Sequence, residues 1–199
     1  MTRIRTPRDK AKRSGDKIPL LDRLKPDEAC TVLRRLLTAH PDLGSEAEQI
    51  ARDVLGEVSF EDIACDVESA LSAFDLDDLN GRAGKHSWGY TSPDEAAYQL
   101  LEEALDPFLE DMKRQRDLGL EREALEICKG VVLGLYRLRE VQGDFLGWAA
   151  DFPAEAAEDT VDAWSVGEQG SGKRRTFPPD FVKEHVPEWQ SLIARKAAR

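Results

Sequence analysis

The feature that most constrains the fold of this chain is a run of apolar residues that recur at three- and four-residue steps after Ser92 and Pro93. Such spacing places them on one face of an α-helix: Ala97, Leu100, Leu101, Ala104, Leu105, Phe108, Leu109 and Met112. Ser92 is a favourable N-cap, and Pro93 suits the first helical turn. Pro107 predicts a kink or a break because it lacks an amide donor, and Gly119 predicts the end of the segment.

Similar but shorter patterns predict further helices along the chain. They begin at Pro26, Ser45, Ser59 and Pro153 and near residue 121. In the helix predicted at 121–141, Gly130 and Gly134 lie one turn apart, which would let a second helix approach closely. Between residues 75 and 91 we predict one long loop, with a helical turn and then a tight turn at Asn80-Gly81. No run of four or more residues alternates like a strand, so we predict an all-α fold of antiparallel helices.

Charge and composition divide the chain into four segments. Residues 1–25 carry nine Lys and Arg against three Asp, a net charge of +6, and we expect them to form a basic, disordered arm. We predict an acidic all-α domain at 26–166, a flexible Gly/Lys/Arg linker at 167–179 and a C-terminal amphipathic helix at 180–199. Residues 26–172 have a net charge of −21, and the whole chain has −11. An acidic body repels nucleic acid and anionic lipid, so we expect neither to bind this domain.

Apolar segments and cysteines indicate the compartment. No stretch approaches the roughly 18 consecutive apolar residues of a membrane span, and the basic N-terminus is not followed by the apolar segment of a secretory signal. Cys30, Cys65 and Cys128 are far apart in the sequence. An odd, dispersed set predicts buried free thiols in a reducing compartment. We therefore expect a cytoplasmic protein that does not contact a membrane.

One stretch near the C-terminus, WSVGEQGSGKRRTFPP, nearly matches the phosphate-binding pattern G-x-x-x-x-G-K-[ST]. Gly167, Gly172 and Lys173 fill its first three fixed positions, but Arg174 occupies the position of the hydroxyl that ligates Mg²⁺. Such a loop also needs a buried strand before it, whereas the preceding EDTVDAW is a polar helical stretch. The sequence therefore predicts a flexible basic linker here.

Metal and catalytic motifs are not recognised in the sequence. A calcium loop in the predicted long loop would place Leu76 and Ser87 at two essential ligand positions. The three histidines have no partner at zinc-binding spacing: His40, His86 and His185. A group of acids on the helix after Ser92 is expected to form a solvated face: Glu102, Glu103, Asp106, Glu110 and Asp111. We expect no cofactor and assign no catalytic residue.

The segment KHSWGYTSPDE is a glycine-containing connection that carries two aromatic rings and a titratable one, at His86, Trp88 and Tyr90. Loops often carry function, and Trp and Tyr are favoured at interfaces. Two interpretations stay open. The three residues form an interaction loop, or Trp88 and Tyr90 fold back and plug the helical bundle.

Residues 63–138 resemble the helical region that follows the zinc finger in bacterial and archaeal SWIM zinc-finger proteins. The residues that carry the resemblance are Gly89-Tyr90, Glu95-Ala96, Tyr98, Leu105, Leu109, Gly119 and Ala124. The same hairpin is similar to a tetratricopeptide helix pair, with Gly119 at the turn and Ala124 and Cys128 on the inner face. The zinc-finger ligands of that family have no counterpart here. The resemblance therefore implies a helical-repeat interaction region without catalysis, metal or DNA activity.

These observations lead to one fold and three functional hypotheses. A single hairpin cannot bury its apolar face, so we predict hairpins stacked as a small tetratricopeptide-like bundle or short solenoid. We favour a protein-interaction or adaptor module that binds a basic peptide or a partner helix. One alternative is a nucleic-acid-associated accessory protein that binds through its basic arms. The other is an enzyme with dispersed catalytic residues and a pocket around His86 and the carboxylates.

The basic terminal segments have two candidate partners, nucleic acid and an acidic protein surface, which includes the body of the same or a neighbouring chain. Self-association therefore also stays open. The residues expected to make these contacts are Arg3, Arg5, Arg8, Lys10, Lys12, Arg13, Lys173, Arg174 and Arg175. Binding of nucleic acid would fall steeply with salt and disappear on removal of residues 1–25.

Overall fold

The computed structural model describes residues 20–87, 89–139, 143–166 and 174–197, with side chains to residue 194. The described residues are predominantly helical, as the predicted all-α class requires. Contacts divide the chain into two compact units, Met1–Ile50 and Ala51–Arg199, where the sequence predicted one domain over 26–166. Within the described ranges, no helix is long and apolar enough to cross a bilayer.

The first unit contains α1 (Pro26–Ala39) and the first part of α2 (Gly44–Leu55), within which the boundary falls. Pro26 begins α1 as predicted, and Glu28 accepts a 3.0 Å hydrogen bond from the Lys25 amide. None of the described residues of this unit is buried. The apolar stripe predicted on α1 is therefore largely exposed, and Leu33 is 50% accessible.

The second unit is built around α6 (Glu121–Leu138). This helix packs against α3 (Phe60–Leu71), α5 (Pro93–Asp117) and α7 (Phe152–Ser165). Its buried residues face in several directions: Ala124, Ile127, Cys128, Gly130, Val131, Val132, Leu133, Gly134, Leu135 and Leu138. Since a fully buried Val, Leu or Ile contributes about 1.5–3 kcal/mol, α6 is the main contributor to this core.

Gly130 and Gly134 let α3 lie close against α6, as the sequence predicted. A Cβ atom at Gly130 would be 2.5 Å from the Cβ of Ile63, and one at Gly134 would be 2.8 Å from the Cβ of Val67. Carbon atoms cannot approach to these distances without displacement of one helix. The crossing therefore requires glycine at both positions.

The ends of α5 agree with the sequence signals. The Oγ of Ser92 accepts a 3.4 Å hydrogen bond from the amide of Glu95. Gly119 has a φ of +74°, and its amide donates to the carbonyl of Arg116, which ends the helix. The predicted break at Pro107 does not occur, because α5 continues through this exposed residue to Asp117.

The segment predicted as one long loop contains a short helix and a hairpin instead. The helix α4 (Leu76–Arg82) begins after Asp75, whose carboxylate accepts two backbone amide hydrogen bonds. It continues through Asn80-Gly81, so the tight turn predicted there is wrong. The strands β1 (Gly84–His86) and β2 (Gly89–Thr91) then pair antiparallel. With only three residues each, they are too short to show an alternating pattern in the sequence.

The C-terminal residues of the second unit pack against the rest of that unit through aromatic and aliphatic side chains. In place of the single helix predicted over 180–199, the structure has α8 (Pro179–His185) and α9 (Gln190–Ala197). They are separated at Pro187, which cannot donate a helical hydrogen bond and disfavours helical geometry in the residue before it. The buried residues of this segment are Phe177, Phe181, Val182, Val186, Trp189 and Ile193. The greater part of the predicted linker, residues 167–173, lies outside the described residues.

The three cysteines differ in their surroundings. Cys128 is buried in α6, whereas Cys30 and Cys65 are exposed. The expectation of buried thiols is therefore wrong for two of the three, because both lie on solvent-facing sides of their helices. All three are free thiols.

We predict that Gly130→Ala lowers the free energy of unfolding by about 1–3 kcal/mol, because the added methyl group would overlap Ile63. This is the net loss, which remains after the gain of about 1 kcal/mol in helix propensity. Urea unfolding followed by circular dichroism measures the difference. Gly81→Ala in α4 is the matched control, since a Cβ there meets no atom within 4 Å. Equal stability of the two variants would contradict the close α3–α6 crossing.

Candidate functional site

The predicted interaction loop lies on the β1–β2 hairpin. Tyr90 is 70% exposed and does not plug the helical bundle. His86 is partly buried, and its Nε2 donates to the carbonyl oxygen of Arg82 at 2.8 Å. Trp88 lies outside the described residues. The described part of the loop thus presents one exposed aromatic ring, which does not define a binding site by itself.

Of the basic residues predicted to contact nucleic acid or an acidic partner, the structure describes Arg174 and Arg175. The Nη1 of Arg174 lies 2.9 Å from Oδ1 of Asp162, and Arg175 pairs with Glu121. Both acids belong to the second unit, so the acidic body binds two arginines of its own chain. The remaining residues lie outside the described ranges: Arg3, Arg5, Arg8, Lys10, Lys12, Arg13 and Lys173.

Between α5 and α7 the second unit has a groove of about 330 Å³ with an apolar floor and an acidic rim, here called the acidic groove. The floor consists of Leu105, Leu109, Phe152 and Ala156. The rim consists of Glu102, Glu103 and Asp106 from α5 and of Glu155 and Asp159 from α7. Among the described residues, no lysine or arginine lines the groove. Five carboxylates thus surround an apolar surface.

The rim carboxylates are exposed, and most of the α5 rim has no cation beside it. Glu103 forms an ion pair with Arg82. Neither Glu102 nor Asp106 forms an ion pair with a lysine or arginine in the described part of the chain. Like charges grouped around a low-dielectric surface reinforce one another. The groove is therefore a region of negative potential.

Tyr98 connects the two helices at one end of the acidic groove. Its ring packs edge-on against Phe152, with the ring centroids 5.5 Å apart, and its hydroxyl donates to Glu155 at 3.2 Å. Burial raises the pKa of Tyr98 above its usual value, and the charge and hydrogen bond of Glu155 raise it further. More distant charges on Asp151 and Glu102 act in the same direction. The pKa of Tyr98 therefore responds both to its burial and to the negative charges around it.

Sequence reasoning found the acids on the α5 side of this groove but assigned them to a solvated face, and it missed the α7 side. Glu102, Glu103 and Asp106 are exposed, as a solvated acidic face should be. The residues with which α7 lines the groove do form a pattern in the sequence, because they recur at three- and four-residue steps: Phe152, Glu155, Ala156 and Asp159. Periodicity shows that these residues share a face, but only tertiary packing decides that this face meets α5.

No three His, Cys, Asp or Glu side chains in the described part of the chain meet in metal-binding geometry. A hydrogen bond with Ser92 lowers the pKa of Asp94 at the start of α5. Burial raises the pKa of the Cys128 thiol far above its usual value, which keeps it protonated. These two shifts follow from helix capping and core packing.

The sequence matches no protein-family model, and no curated protein or solved structure shows significant similarity to it. The resemblance to the helical region of SWIM zinc-finger proteins stays a prediction. The function of the acidic groove must accordingly be inferred from its own geometry and charge.

We predict that alkaline titration of the tyrosinate absorbance contains a component above the usual pKa of 10.0, and that Tyr98→Phe removes it. The raised pKa also affects stability. Its contribution is complete below pH 10 and is lost as the pH rises through the folded-state pKa, since the unfolded chain then ionises first. Stability should therefore fall more steeply above pH 10 in the wild type than in Tyr98→Phe. Tyr90→Phe, at an exposed tyrosine, is the control and should retain the late component.

Proposed function

We propose that the protein is an interaction module whose acidic groove binds a basic segment of another protein. The observation that carries this proposal is the arrangement of five carboxylates around an apolar floor, with no described lysine or arginine in the lining. The preferred occupant has lysine or arginine side chains on both sides of a few apolar ones. An amphipathic helix or an extended peptide of this composition meets both requirements.

The charges of the second unit support a basic partner over an anionic one. Arg174 and Arg175 already pair with Asp162 and Glu121, so arginine side chains are accommodated on this acidic surface. Exposed ion pairs contribute only about 0–1 kcal/mol each. Several of them would set the sign of the partner's charge and speed its association, rather than supply most of the affinity.

The floor of the acidic groove is apolar and partly exposed. Leu109 and Ala156 are partly exposed and form the accessible part of the floor, whereas Phe152 and Leu105 are almost completely buried. An inorganic cation would use the carboxylates and leave this surface unoccupied. A peptide with apolar side chains would cover it and gain about 25 cal/mol for each Å² removed from water. The floor therefore favours a protein partner.

Stacking of tetratricopeptide-like hairpins is part of the same proposal. Gly119 joins α5 to α6 in a tight turn, and α7 packs against both helices. Helical-repeat proteins commonly bind peptides on surfaces formed by successive helices. A cytoplasmic location also belongs to the proposal, and the three free cysteines support a reducing compartment.

Nucleic-acid binding through the basic arms is the second candidate function, and it rests mainly on the composition of residues 1–25. Arg174 and Arg175 support it less well, because carboxylates of the same chain already occupy them. Phosphate contacts by these two residues would require those ion pairs to break.

We predict that the double variant Glu102→Gln, Asp106→Asn weakens binding of a basic peptide about tenfold, because two rim charges are lost. The probe is a fluorescently labelled peptide in which arginines flank two leucines, and fluorescence anisotropy of the full chain measures its Kd. Affinity should fall as salt is added. Replacement of both leucines by serine should also weaken binding, since the apolar floor then has no partner.

The matched control is Glu110→Gln, Asp117→Asn, which removes the same charge from α5 outside the acidic groove. We expect its affinity to stay within about twofold of the wild type. Equal losses in the two double variants would mean that the peptide responds to overall charge, and the assignment to the groove would be wrong. Absence of peptide binding to the wild type would also overturn the proposal.

A further inference from the structure

A second cavity, of about 180 Å³, lies between α7, the segment before α8, and α9. Its walls include the buried side chains of Val161, Phe177, Val182 and Ile193. Exposed residues, among them Gln190 and Ala194, stand at its edge. The cavity thus has mainly apolar walls, and residues at the protein surface form its edge. We call it the apolar pocket.

One charged group in the lining of the apolar pocket is incompletely paired. Arg175 lines the pocket, and its Nη2 is held by Glu121. Its Nη1 is buried and has no hydrogen-bond acceptor among the described residues. A buried guanidinium nitrogen without an acceptor is unfavourable, and a carboxylate is the acceptor that it binds most strongly. The lining therefore combines an apolar cavity with one charged residue, whose guanidinium group is incompletely paired.

We propose that the apolar pocket binds a small carboxylic acid, with its apolar body between α7 and α9 and its carboxylate beside the guanidinium group of Arg175, the one charged residue in the lining. An apolar cavity of about 150 Å³ holds a ligand the size of benzene, so the pocket suits a body of about six carbon atoms. The guanidinium group of Arg175 favours acids over neutral ligands of the same size.

This pocket is separate from the acidic groove, although α7 contributes to both. At about 100° per residue, Val161 and Ser165 lie on roughly the opposite face of α7 from Glu155 and Ala156. The charges also differ, because the pocket presents a guanidinium group and the groove presents carboxylates. A small acid and a basic peptide are therefore expected to bind independently.

Isothermal titration calorimetry of the full chain with sodium hexanoate, at constant ionic strength, tests the proposal. We expect saturable binding by the wild type and a loss of about tenfold or more in Arg175→Gln, because the variant lacks the charged donor. The neutral analogue 1-hexanol should bind the wild type more weakly than hexanoate does, and Arg175→Gln should not change its affinity. Arg174→Gln removes the same charge next in sequence, outside the pocket lining, and should bind hexanoate like the wild type.

A second variant keeps the proposal testable if Arg175→Gln does not fold. Ala194→Trp places a large ring at the exposed edge of the pocket and should abolish hexanoate binding without a change in the circular dichroism spectrum. The proposal is overturned if the wild type shows no saturable binding. It is equally overturned if Ala194→Trp binds like the wild type, or if Arg174→Gln loses as much affinity as Arg175→Gln.

Discussion

The architecture of the second unit depends on the close crossing of α3 and α6 at Gly130 and Gly134. Because α6 has no side chain at either position, Ile63 and Val67 of α3 pack directly against its backbone, and α5 and α7 cover its other faces. The acidic groove is a consequence of this arrangement. Two helices that share α6 as a support leave a cleft between their outer faces, and the residues that happen to face it determine its chemistry.

Two carboxylates at the rim of the acidic groove are not neutralised by a lysine or arginine among the described residues. The acidic second unit neutralises Glu103, Asp162 and Glu121 with arginines of its own chain. The rim carboxylates Glu102 and Asp106 form no such ion pair with a lysine or arginine among the described residues. Each exposed pair contributes little, so a partner must combine several charges with an apolar contact. This requirement favours a peptide over a single ion.

The helix α7 connects the two proposed sites. On one face of α7, Glu155 and Ala156 line the acidic groove. On the other face, Val161 and Ser165 line the apolar pocket. Its own packing against α6 holds both faces in position. A ligand in either site therefore contacts a helix that the core already orders, which limits the entropy lost on binding.

The sequence by itself determined the features that depend on neighbouring residues. The all-α class, the caps at Ser59 and Ser92, the turn at Gly119 and the close approach at Gly130 and Gly134 follow from local periodicity and backbone preferences, which a single helix expresses. Only the tertiary structure decided the β1–β2 hairpin, because its three-residue strands have no pattern of their own. It also decided the acidic groove and the apolar pocket, since each joins residues from helices that are distant in sequence and meet only after packing on α6.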